Sequence, residues 1–130
     1  VCVQPGNEVA VLSIGAIGNT VADALQSMNI SKRNFFAHYD MRWLKPIDEY
    51  ILREIGEKFG TIITVEDGVI NGGLGSAVLE FMADNGYTPR VIRLGVHDQF
   101  VEHGSTKELF QLLKLDKEGI CESLLQALEL

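Results

Sequence analysis

Thr61-Ile62-Ile63-Thr64-Val65-Glu66-Asp67-Gly68, running on through Gly72-Gly73-Leu74-Gly75-Ser76-Ala77-Val78, is the stretch that decides the fold. Its first five residues are β-branched, and such side chains are stiff at χ1 and suit an extended, packed backbone. The glycines that follow break the strand. Leu74, Val78, Phe81 and Met82 then recur at helical spacing. A strand, a glycine-rich turn and a helix in that order form part of a βαβ unit.

The same alternation extends to both sides. Val9-Ala10-Val11-Leu12-Ser13-Ile14 is almost wholly apolar, as a strand covered on both faces must be. Gly15 and Gly18 permit a tight turn, and Val21, Leu25 and Met28 form one helical stripe. Phe35 to Asp40 reads as the next strand, stopped by Pro46, which cannot donate to a ladder. Asp48 is a good N-cap for a helix carrying Ile51, Leu52, Ile55 and Phe59, with Ile47 stapled onto Leu52 and Gly60 ending it. Beyond the decisive stretch, Arg90 to Leu94 is a further strand. Ser105-Thr106-Lys107-Glu108 is a capping box for a helix bearing Leu109, Leu112 and Leu113, and Asp116 caps a last helix with Ile120, Leu124 and Leu128. Strands separated by helices predict an α/β sandwich with a mostly parallel sheet and helices on both faces. Residues 9–130 read as a single domain, and residues 1–8 as the remnant of a linker.

A chain of 130 residues with 46% apolar and 22% charged residues can bury a real core. Its formal net charge of −7 disfavours nucleic acid and anionic lipid as partners. Cys2 and Cys121 stand near opposite ends, with no CxxC and no Cys/His cluster, and read as two reduced thiols of a cytoplasmic protein. No apolar run approaches the roughly 18 residues that span a bilayer.

Several places could carry chemistry. The glycine loop from Gly68 to Gly75 follows a strand and opens a helix, where backbone amides attract anions. It is neither GxxxxGK[ST] nor GxGxxG, and Glu66 and Asp67 would repel an anion beside them, so a tight turn with close helix packing is preferred. Gly15-Ala16-Ile17-Gly18-Asn19-Thr20 poses the same choice, and a plain turn with a polar N-cap is preferred. Glu66-Asp67-Gly68 is superficially like the start of a magnesium–diphosphate motif, but Asn71 and Asn85 lie too near to complete it. His97, Asp98 and His103 offer a pair of imidazoles with no third ligand at metal spacing, and read as a polar loop or a contact. Arg42, Trp43 and Lys45 form a basic-aromatic cluster at a strand end, suited to an interface. His38 lies inside a strand and reads as a satisfied core or edge histidine. No complete catalytic set emerges from the residues.

Three segments in order carry a resemblance. Tyr39-Asp40-Met41-Arg42-Trp43-Leu44-Lys45-Pro46-Ile47-Asp48 resembles the D-x-R-F-x-K-P-L-D run of deoxyxylulose-phosphate synthases. Ile63 to Gly68 with Gly72 to Val78 resembles their T-V-E-E/D-G…G-G-x-G-S-x-V, and Leu94 to Gly104 is similar to their G-x-P-D-x-F-x-x-H-G. The resemblance implies a three-layer α/β/α domain with a mixed five-stranded sheet of the transketolase C-terminal type. It implies the last of three domains in an enzyme that joins pyruvate to glyceraldehyde 3-phosphate, releases carbon dioxide and feeds isoprenoid, thiamine and pyridoxal synthesis. Thiamine diphosphate and magnesium would sit between the first two domains, and no cofactor, metal or catalytic residue is expected on this segment. The domain would pack on the preceding domains of its chain and help build a homodimer. The motif residues carried over are Asp40, Arg42, Lys45, Pro46, Glu66, Gly68, Gly72, Gly73, Gly75, Asp98, His103 and Gly104, in structural or interface roles. His97 stands where the family has Pro, which leaves that loop less rigid. Trp43 replaces a Phe. The same domain of a transketolase or of a 2-oxo acid dehydrogenase beta subunit, and a free-standing anion-binding module, are the alternatives.

Overall fold

Val9-Ala10-Val11-Leu12 can be apolar at every position because it is covered twice. Val9 and Val11 face one helical layer, Ala10 and Leu12 the other, and none exceeds 3% exposure. A computed structural model describes residues 2–42, 47–69, 73–96 and 114–128. In chain order it places β1 (Cys2–Gln4), β2 (Val9–Ile14), α1 (Ile17–Ser27), α2 (Ile30–Arg33), β3 (Phe36–Asp40), α3 (Glu49–Lys58), β4 (Thr61–Val69), α4 (Leu74–Asp84), β5 (Arg90–Val96) and α5 (Lys117–Leu128). The strands lie in the order β1-β3-β2-β4-β5. The four strands from β2 onward are parallel, and β1 is antiparallel to β3.

Two apolar clusters flank the sheet. One packs Val21 and Leu25 of α1 with Ile120 and Leu124 of α5 over Val11, Phe36, Ile63 and Val65. The other packs Leu52 and Ile55 of α3 with Val78 and Met82 of α4 over Leu12, Tyr39 and Ile62. Alternate residues of each strand feed opposite clusters, and the result is the expected three-layer sandwich around a mixed five-stranded sheet. Tyr39 meets Phe59 edge-on, with ring centroids 6.3 Å apart.

The capping residues read from sequence act as such. Asp48 accepts from the amide of Ile51 at 3.1 Å, and Asp116 from that of Gly119 at 3.0 Å. Elsewhere the structure departs from the reading. Cys2–Gln4 is no linker but an edge strand, held by its backbone ladder and by the Gln4 side-chain amide, which donates to the carbonyls of Phe36 at 2.8 Å and Arg33 at 3.3 Å. A strand this short with no buried side chain leaves no hydrophobic period to read. Helix α1 has Ala16 at its N-cap and no side-chain cap, so the expected polar cap is absent. The short α2 is capped by Asn29, whose side chain accepts from the amide of Lys32 at 3.0 Å. β3 starts at Phe36, one residue later than read, and the carbonyl of Phe35 accepts from the amides of Glu8 and Val9. β4 runs on past Val65 through a register shift to Val69. The capping box at Ser105 and the stripe at Leu109, Leu112 and Leu113 lie outside the described residues.

Ile63 has no exposed surface and touches the cluster under α1, whereas Ile30 is 67% exposed. Ile63→Ala is expected to lower stability by about 2–5 kcal/mol. Ile30→Ala should stay within roughly 0.5 kcal/mol. Urea denaturation of both variants measures the contrast.

Candidate functional site

The parallel strands all end at one edge, and the topology marks a place along it. From β2 the chain crosses to β3 on one side, and from β4 to β5 on the other, so the loops after β2 and β4 diverge between those two strands. Open α/β sheets receive ligands at such a point, outside the carboxyl ends of the strands. The register puts Ser13 level with Asp40 and Val65, and Ile14 level with Glu66.

Glu66 is the central group of this edge. Only 4% exposed, it accepts from the amide of Leu74 at 2.9 Å through one carboxylate oxygen and from that of Gly75 at 2.9 Å through the other. These are orphan amides at the amino end of α4, whose N-cap residue Gly73 supplies no side-chain bond. The glycine segment is therefore a carboxylate cradle, but the carboxylate is the chain's own. Gly75 is glycine because a Cβ there would lie 2.8 Å from the Arg93 stem and 2.9 Å from the Thr64 hydroxyl. Burial pushes the Glu66 carboxyl above its ordinary 4.5, with Asp67 adding to the rise. The two amides and Arg93 oppose it.

Beside it, Gly15 takes a φ of +86°, and Asp67 lies over the turn, its carboxylate oxygens 3.7 and 3.8 Å from where a Gly15 Cβ would stand. On the far side of β2, His38 is 2% exposed, and its Nε2 lies 2.7 Å from the Ser13 hydroxyl. Its Nδ1 has no hydrogen-bond partner among the described residues. Burial lowers its pKa below the ordinary 6.5, against the pull of Asp40, so the imidazole is neutral near pH 7. His38 is thus a core histidine, as its strand position suggested, with one of its two ring nitrogens satisfied among the described residues. A cavity of about 120 Å³ between α1 and the strands is bounded by Ser13, Gly18, Asn19, His38 and Asp40.

Of the motif residues, the structure brings Asp40, Glu66, Gly73 and Gly75 to the carboxyl edge, with Gly68 in the backbone of β4. Asp40 accepts from the amide of Arg42 at 3.0 Å, and Arg42 is exposed with a left-handed φ of +36°. Lys45, Pro46, Gly72, Asp98, His103 and Gly104 lie outside the described residues, as do Trp43 and His97. Sequence reasoning did not anticipate Glu66 as the cap of α4, eight residues ahead. It also missed the Ser13–His38 pair, whose signal is a polar residue inside each of two largely apolar strands. Among the described residues no three His, Cys, Asp or Glu side chains group to hold a metal, and no helix is long and apolar enough to cross a membrane.

Comparison with known proteins places these features in a context. The family model described as transketolase, C-terminal domain, matches residues 1–120. The chain is 59% identical over 121 residues to a 1-deoxy-D-xylulose-5-phosphate synthase of Parabacteroides distasonis, covering 93% of this chain and 19% of that protein. The synthase of Bacteroides fragilis is 52% identical over 117 residues, covering 90% and 18%. That of Caldanaerobacter subterraneus is 38% identical over 121 residues, covering 93% and 19%. A solved structure of a split-gene transketolase, an inactive beta4 tetramer, aligns over all of this chain and 42% of its own, with a TM-score of 0.85 and 29% identity. The chain therefore spans about a fifth of the length of the curated synthases it matches.

The Glu66 geometry makes two measurable statements. In a carbon-13 titration of glutamate carboxyls, Glu66 should titrate above 4.5. Its folded pKa being raised, its contribution to stability is complete below 4.5 and is lost as pH rises through the folded value. Glu66→Gln keeps one acceptor and sets an NH₂ against the other amide, which should lower stability by about 1–3 kcal/mol in denaturant titrations at neutral pH.

Proposed function

The chain belongs to the transketolase C-terminal domain family, and on that premise we propose that it is the C-terminal domain of a 1-deoxy-D-xylulose-5-phosphate synthase. Its role there is structural: it braces the preceding domains and the dimer. The observation that carries this reading is the 59% identity to a synthase over nearly the whole chain, set against 29% to a transketolase. The sheet supports an interface role. The described motif residues Asp40, Glu66, Gly73 and Gly75 lie together at the carboxyl edge. A docking surface built on strand ends is rigid, and a remote active site gains from such support.

The parent enzyme condenses pyruvate with glyceraldehyde 3-phosphate, with loss of carbon dioxide, on a thiamine diphosphate held by magnesium. The described residues do not fit that group. The α4 amino end, which could receive a diphosphate, is filled by the Glu66 carboxylate, and Asp67 adds negative charge beside it. No chemical step is therefore assigned to this domain. Its proposed partners are the preceding domains and a second copy of the enzyme, in the cytoplasm. The occupied cradle also argues against a free-standing anion-binding module.

In the full-length enzyme, Arg42→Ala should weaken dimer association about tenfold or more. Turnover per assembled dimer should change far less. Sedimentation together with a product assay checks this, and an intact dimer with a large loss of turnover would sink the interface role. The 130-residue chain, supplied with both substrates, thiamine diphosphate and magnesium, is expected to form no product.

A further inference from the structure

We propose that β1 is a detachable strap, which opens ahead of the rest of the sheet and bares the outer edge of β3. Four observations carry this. β1 has three residues, of which Cys2 and Val3 are exposed and Gln4 is half-buried, so no β1 side chain enters either core cluster. Its pairing with β3 is irregular, with a register shift between Cys2 and Gln4. One side chain fastens it: the Gln4 amide holds the carbonyls of Phe36 and Arg33. The turn behind it depends on one glycine, because a Cβ at Gly6 would fall 2.2 to 2.4 Å from the backbone of Phe36 and Ala37. Segments with few buried apolar contacts and exposed backbone bonds open locally, well before global unfolding. β2 and β4, covered on both faces, lie at the other extreme.

Lifting the strap changes what lies beneath it. Val3 is one wall of the cavity bounded by Ser13, His38 and Asp40, so opening brings water to the buried His38–Ser13 pair. It also turns β3 into an edge strand with bare donors and acceptors. In the proposed parent enzyme, a neighbouring domain that contacts β1 would bias its opening. That coupling rests on the proposed function, whereas strap opening itself does not.

Amide hydrogen exchange on the 130-residue chain, followed by NMR, tests the strap. Amides of β3 that face β1 should exchange at least about 100-fold faster than those between β2 and β4. Gln4→Ala should speed the first set by a further factor of about 5 to 10 and leave the second unchanged. Gly6→Ala should act in the same direction. If the two sets exchange at one rate, or if Gln4→Ala speeds both alike, β1 opens only with the whole domain and the strap is refuted. Such a result would leave the reading as a synthase domain untouched.

Discussion

A buried carboxylate joins two elements that the chain itself connects only through a glycine-rich segment. Glu66 stands where β4 leaves its pairing with β2, and both its oxygens are taken by amides of α4. The first turn of α4 is thereby fixed against the end of β4, which in turn sets Gly75 against Thr64 and Arg93. Desolvating a carboxylate is costly, and the raised pKa records that cost. Two charge-assisted bonds and the nearby Arg93 offset part of it. The carboxyl edge of the sheet is defined by this arrangement, and the described motif residues Asp40, Glu66, Gly73 and Gly75 lie along it.

The core was legible because it is periodic. Val9 to Leu12 and Thr61 to Val65 announce doubly buried strands. The stripe Val21–Leu25 announces a helix, and Asp48 and Asp116 announce the starts of two others, all by local rules. What escaped the reading is held by nonlocal bonds. Nothing in Cys2-Val3-Gln4 reveals an edge strand, because its partners lie more than thirty residues away in Phe36 to Tyr39. Glu66 looked like a source of repulsion for an anion at the glycine loop. Its side chain is instead the anion that the loop holds, which the spacing to Leu74 and Gly75 could have suggested. The His38–Ser13 pair similarly needs the β2–β3 register before the two residues can be seen to meet.

Fold and family agree on a domain of the transketolase C-terminal type. The acidic groups Asp40, Glu66 and Asp67 are each accounted for by local structure. Asp40 receives the Arg42 amide, Glu66 caps α4, and Asp67 lies over the Gly15 turn. The described acidic groups of this edge are thus engaged in holding its loops in place.

The parallel register has a kinetic consequence. Val9 of β2 pairs with Phe36 on one side and Thr61 on the other. Each pairing requires a helical crossover to close first, so contacts of high sequence separation must form before the centre of the sheet gains stability. Until residues 61–66 pair with it, β2 has one edge without a strand partner. An unpaired strand edge of this kind invites intermolecular association, and the pairing of β4 with β2 removes it.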